Sequence, residues 1–260
     1  MSYQFLTVER DDAIAIITLN RPKANALSLE LVSEIGGAVA ELEHDRAARC
    51  IVVTGGDGRF FSGGADIPAL RDSLVEPFAK GSPLSAGLET MDRIESCTKP
   101  VLAAVNGIAV GGGCELALAC HIRLASDAAR FGQPEINLGI VPGWGGCHRL
   151  PRLIGESRAL EWLLTGRMVD AREAHEAGLV CKVVPAADLM PAARELAGEL
   201  AKKPPVAVRA LLRAVRERAL HPENGKAYEA EAFAEAAASA DAAEGLSAFI
   251  EKRTAQFSGT

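Results

Sequence analysis

Lys99-Pro-Val-Leu-Ala-Ala-Val-Asn-Gly-Ile-Ala-Val-Gly-Gly-Gly-Cys-Glu-Leu116 sets three signals side by side. The apolar, partly β-branched run Val101–Val105 reads as a buried strand, and Asn106-Gly107 closes it with turn residues. The triple glycine Gly111–Gly113 then opens into an apolar helical segment, Cys114–Ala119, whose first turn holds Glu115. Glycines there leave backbone N–H groups unscreened by side chains. A second carboxylate, Glu135, follows in Phe131-Gly-Gln-Pro-Glu135. Three glycines also let a helix pack closely on a strand, and a glutamate at a helix start is stabilised by the helix dipole. Donors for an oxyanion beside two acid/base groups nevertheless make the composition of an active site.

Working outward, Ala13–Leu19 and Cys50–Gly55 are further short apolar runs bounded by charged or glycine-rich stretches, and both read as strands. Between them, Leu31, Val32, Ile35, Val39 and Leu42 recur at helical spacing behind Ser28, a candidate N-cap. Strand, helix, strand implies a crossover unit. Ile122–Ser126 adds a fourth strand, so the core is α/β. Pro68–Leu84 has no clean period and reads as a loop or broken helix before a helical stretch at Leu88–Cys97, in the manner of a lid.

From Ser157 the pattern turns almost wholly helical: Ser157–Leu164, Ala171–Ala177, Pro191–Lys202, Val206–Leu220, Gly225–Ala238 and Asp241–Arg253, with one short strand at Leu179–Val184. The Ala/Glu-rich stretch Tyr228–Ala243 forms helix readily but carries little bulk, which suits packing on another chain. The expected organisation is a core at residues 1–200 that carries the site, followed by an oligomerising helical region at 201–260.

The chain has 260 residues, 48% of them hydrophobic and 24% charged, enough for one large domain with a substantial core. Its net charge of -6 argues against general nucleic-acid binding. Arg209, Arg213, Arg216 and Arg218 sit at helical spacing and read as a solvated helix face. Neither a signal-peptide pattern nor a membrane-spanning apolar run occurs, which gives a cytoplasmic expectation. The six cysteines form no Cys-x-x-Cys pair and no zinc spacing, and their apolar settings predict buried free thiols. No P-loop, dinucleotide fingerprint, nucleophile elbow or metalloprotease motif is present.

A second glycine-rich turn, Phe61-Ser-Gly-Gly-Ala-Asp-Ile67, follows the Cys50 strand. Two strand ends that each release backbone N–H groups can aim one donor apiece at the same oxygen, with Ala65 and Gly112 as the expected pair. Such a pair stabilises a developing oxyanion by several kcal/mol.

These two turns, together with Phe131–Gly139, Ile140-Val-Pro-Gly-Trp-Gly-Gly146 and Glu244–Arg253, make the chain resemble the crotonase superfamily, specifically enoyl-CoA hydratases, over nearly its whole length. The resemblance implies a spiral of ββα turns with a C-terminal helical trimerisation region, assembled as a trimer or dimer of trimers. It implies an acyl-CoA thioester as substrate, no separate cofactor and no metal. Glu115 is expected to activate water and Glu135 to supply a proton to C2, with Ala65 and Gly112 as the oxyanion hole. Gly63, Ala65, Ile67, Gly111, Gly112, Pro142 and Trp144 are expected to bind substrate. Arg59 is expected at a CoA phosphate, and Phe249 and Lys252 at a neighbouring subunit's CoA. Two positions depart from the family pattern: Pro68 stands where a lysine is common, and Trp144 where a small residue is common. The same pattern leaves open a Δ3-Δ2-enoyl-CoA isomerase, which needs only the carboxylate at Glu135, and an RNA-binding or scaffold protein of the same fold.

Overall fold

The computed structural model describes residues 3–72, 74, 76 and 79–260. Strands β1 (Leu6–Asp11) and β2 (Ile14–Leu19) form an antiparallel hairpin, and helix α1 (Leu29–His44) returns the chain to β3 (Cys50–Thr54), parallel to β2. Ser28 caps α1 as expected, its side chain accepting from Leu31 N. After β3 come a short β4 (Phe60–Ser62), α2 (Ile67–Asp72) and α3 (Pro83–Ser96). The stretch expected as a loop or broken helix therefore carries helix at both ends, and residues 73, 75, 77 and 78 lie outside the described residues.

Two further turns repeat the pattern. β5 (Val101–Val105) leads into β6 (Ile108–Val110) and α4 (Gly112–Ala119), and β7 (Ile122–Ser126) into β8 (Arg130–Gly132) and a 3-10 turn at Pro134–Leu138. Each turn lays one strand on a six-stranded sheet and one on a smaller sheet. The large sheet continues after β7 to β10 (Lys182–Val184); in the small one β4, β6 and β8 run parallel, and β9 (Met168–Asp170) closes the edge antiparallel. This is the spiral of ββα turns expected.

Continuous apolar strands arise because both faces of the large sheet are covered. Ile51, Val53, Val101, Ala103 and Val105 face the main core with α1 and α3, whereas Cys50, Val52, Leu102, Ala104 and Leu124 face α8 (Leu189–Ala201). Before α8 the chain forms α5 (Gly146–Ile154), α6 (Glu156–Thr165) and α7 (Ala171–Glu176). After it, α9 (Pro205–Leu220), α10 (Gly225–Ala237) and α11 (Ala240–Glu251) leave the sheet.

Four of the six thiols are buried, but Cys147 and Cys181 are exposed, contrary to expectation: each follows a turn into a surface position rather than a strand or helix core. Arg209, Arg213 and Arg218 on α9 are exposed, as expected, and Arg209 and Arg213 pair with Glu235 of α10. Among the described residues, no helix is long and apolar enough to cross a membrane.

Candidate active site

The first glycine of the triple run adopts φ 53° and ψ −128°, a conformation that side-chain-bearing residues rarely take, and it turns the chain from β6 into α4. That turn leaves Gly112 N–H at the first position of α4, where no intrahelical acceptor exists and the helix dipole is positive. The facing turn at Gly63–Ala65 comes equally close. A Cβ on Gly64 would lie 2.7 Å from Val110 O, and one on Gly112 would lie 3.4 Å from Ala65 N. Leu27 bridges to this turn through Leu27 N to Gly64 O and Asp66 N to Leu27 O, which leaves Ala65 N–H out of the bridge. Ala65 and Gly112 thus lie side by side where the chain leaves β4 and β6, neighbouring parallel strands of the small sheet.

Glu115 projects from the first turn of α4 and is almost wholly buried. Its Oε1 accepts from Trp144 N at 2.7 Å and Gly146 N at 2.8 Å, so a side chain of α4 caps the N-terminus of α5. Burial pushes its carboxyl up to about 7, and the Glu135 carboxylate adds to the rise; the two N–H donors and the Arg149 charge oppose it.

Glu135 sits in the 3-10 turn after β8, half-buried, with its proton affinity also raised by burial. A Cβ on Gly111 would come within 3.0 Å of Glu135 Oε1, so the missing side chain makes room for the carboxylate. Turning the amide of buried Gln133 so that its nitrogen faces Glu135 places that nitrogen 3.1 and 3.2 Å from the two carboxylate oxygens, where it can donate to both. The two carboxylates and the Ala65–Gly112 gap open into one cavity of about 650 Å³ with a largely apolar lining. Gly63, Ala65, Ile67, Gly111, Gly112, Pro142 and Trp144 all line it.

Three expected residues lie elsewhere. Arg59 stacks over the Phe60 ring at 5.7 Å and lines an adjoining groove with Arg21 and Lys23. Phe249 on α11 is 83% exposed, and Lys252 follows that helix in a left-handed conformation. Neither lines the cavity of its own chain.

Sequence reasoning overlooked the Arg21–Leu27 loop. Asn25, buried at φ 50°, accepts from Arg21 N and donates to Gly55 O and Phe61 O, while Ala24 O accepts from Gly63 N at 2.7 Å. Arg21 pairs with Asp66 at 2.7 Å. The loop is the backing of the Gly63–Ala65 turn, and the signal that could have found it is an asparagine able to take the left-handed conformation soon after a proline.

A family profile described as enoyl-CoA hydratase/isomerase matches residues 9–260. The chain belongs to the enoyl-CoA hydratase/isomerase family. It is 42% identical to a probable enoyl-CoA hydratase of Mycobacterium bovis, over 99% of either chain. It is 41% identical to a crotonyl-CoA hydratase of Syntrophomonas wolfei, again over 99% of each. Among solved structures, an enoyl-CoA hydratase from Bacillus anthracis superposes with a TM-score of 0.92 at 38% identity, covering 99% of this chain and 100% of that one. A hydratase of Geobacillus kaustophilus gives 0.92 at 42% identity, covering 99% of each. The ββα spiral is accordingly shared with these enoyl-CoA hydratases.

Proposed function

We propose that the chain is an enoyl-CoA hydratase that adds water reversibly across the double bond of a trans-2-enoyl-CoA to give the 3-hydroxyacyl-CoA. The observation that carries this reading is the pair of carboxylates, buried Glu115 and half-buried Glu135, lining one largely apolar cavity with Ala65 and Gly112. The thioester oxygen accepts from those two N–H groups. Charge that moves onto this oxygen as C3 is attacked is stabilised by donors already in place, one of them at a helix N-terminus.

Glu115 takes a proton from water as the water oxygen bonds to C3, and Glu135 delivers a proton to C2. The double bond is consumed, the enolate collapses to the thioester, and the carboxylates end with their protonation exchanged. Mutual repulsion favours a single proton on the pair near neutral pH, which is the state the reaction needs. No cofactor is required for these transfers.

A preference for short acyl chains follows from Trp144, whose ring fills space between Gly87 and Gly112 at the cavity wall. A crotonyl-CoA hydratase and a short-chain-enoyl-CoA hydratase of Clostridium acetobutylicum, the latter 40% identical, are among the relatives. A homo-oligomer, trimer or dimer of trimers, is proposed from the helical region beyond residue 201, where Phe233, Leu246, Phe249 and Ile250 lie exposed. In that assembly Phe249 and Lys252 reach a neighbour's CoA, and Arg59 meets a CoA phosphate from the adjoining groove.

The test is product analysis with crotonyl-CoA in ¹⁸O-water, beside a 3-enoyl-CoA supplied separately. Label appearing at C3 of a 3-hydroxyacyl-CoA supports hydration. Conversion of the 3-enoyl thioester to the 2-enoyl isomer with no hydrated product would establish the isomerase instead.

A further inference from the structure

Arg149 is the bulkiest fully buried side chain among the described residues, a cation with no exposed surface. Burying a guanidinium costs several kcal/mol unless its donors are satisfied, so its partners explain its presence. Nε and Nη2 both donate to Glu95 Oε2 on α3, at 2.9 and 2.7 Å, and Nη2 also reaches Asp92 at 2.7 Å. Arg152 holds the other oxygen of Glu95. The remaining donor, Nη1, goes to the carbonyl of Trp144 at 2.7 Å.

That carbonyl belongs to the turn whose Trp144 and Gly146 N–H groups fix Glu115 Oε1. Between them Gly145 adopts φ 107°, and a Cβ there would lie 2.0 Å from Arg149 Nη1. The turn is therefore bare on one side because the guanidinium passes beneath it. We propose that Arg149, braced by Glu95, is a positioning residue for Glu115: it grips the Trp144 carbonyl and so aims the two N–H groups at the carboxylate. This rests on the hydratase reading, in which Glu115 must be ionised to take a proton from water.

Charge works in the same direction as geometry. The groups facing Glu115 are Glu135 from the 3-10 turn, Cys147 and Arg149 from α5, and Cys114 from its own helix. Among these the guanidinium alone carries positive charge and favours the ionised carboxylate. Asp92, Glu95, Arg152 and His148 surround the guanidinium in turn.

The test is the pH dependence of kcat and KM for crotonyl-CoA hydration by the full-length enzyme. The double variant Arg149→Met/Glu95→Gln removes the cation without orphaning its buried carboxylate. It should hold KM within about threefold, lose about tenfold in kcat at pH 6, and move the acidic limb of kcat upward by about one pH unit. Arg152→Met disturbs the same Glu95 network without touching Trp144, and its limb should stay at the wild-type position. Arg149→Lys keeps the charge but not the fork; its limb should stay in place while kcat drops about threefold or more. A folded double variant with an unmoved limb, or an Arg152→Met limb that moves as far, overturns the proposal. If the double variant does not fold, wild-type kcat in Arg149→Lys overturns it. Failure of the underlying reading looks different: Glu115→Gln would then hydrate crotonyl-CoA at the wild-type rate, whatever Arg149 does.

Discussion

Glu115 accepts the backbone N–H of Trp144 at 2.7 Å, a contact that joins the carboxylate to the residue whose ring forms part of the cavity wall. The same turn thus orients this carboxylate and limits the room beside it. Changes at Trp144 should consequently be felt in both chemistry and specificity.

Trp144→Ala should shift preference toward longer acyl chains, because the ring lines the cavity next to Glu115 and Gly112. The expected result is a lower KM for six- to eight-carbon enoyl thioesters relative to crotonyl-CoA. Losing a buried aromatic ring costs about 3–5 kcal/mol of stability, so chain-length profiles are best measured well below the variant's Tm.

Gly87 and Trp144 should be energetically coupled. A Cβ on Gly87 would lie 2.0 Å from Trp144 Cε2, which forces the ring or helix α3 to shift. Gly87→Ala is expected to destabilise by about 1–3 kcal/mol in the wild-type background and by much less beside Trp144→Ala. Denaturant unfolding of the four proteins of this cycle measures the difference.

Stability and activity should pull in opposite directions at Glu115. Its carboxyl is held above the ordinary 4.5, at about 7, so the folded state binds this proton more tightly than the unfolded chain. That contribution is complete below about pH 4.5 and is lost as pH rises through about 7. Glu115→Gln, which cannot ionise, should gain stability over wild type at pH 8.5 relative to pH 5, on the order of 2–4 kcal/mol. Comparing Tm of the two proteins at both pH values checks the sign. Hydration by the wild type should fall over the same range in the acid direction, because Glu115 must be ionised to accept a proton.

The apolar face of α11 gives a prediction about assembly. Phe249 and Ile250 are exposed by 83% and 77%, beyond what an isolated surface helix ordinarily presents. Phe249→Glu/Ile250→Glu should reduce the mass found by light scattering to that of a smaller species and raise KM for CoA thioesters. Unchanged mass would remove α11 from the interface.

The long strands and the capped helix α1 were legible because their residues announce a period or a continuous apolar run. β4, β6, β8 and β9 have three residues each, too few to show a period, so the second sheet could not be read. Helix α5 was hidden by its Gly145-Gly146 start, its internal Pro151 and its charged residues. Arg149 within it looks like a surface residue in sequence and is the most deeply buried charge among the described residues. The site was legible to the extent that it is built from glycine turns and the carboxylates beside them. Glu115, Glu135, Ala65 and Gly112 line one cavity, while the buttresses Asn25, Gln133 and Arg149 depend on contacts between distant segments that no local pattern carries.

The most direct measurement is the rate at which crotonyl-CoA loses the absorbance of its conjugated thioester with wild type, Glu115→Gln and Glu135→Gln in parallel. Rapid loss with wild type and a fall of about a hundredfold or more in each variant is predicted, since each carboxylate handles a separate proton. Either variant turning over within about tenfold of wild type would contradict the two-carboxylate account.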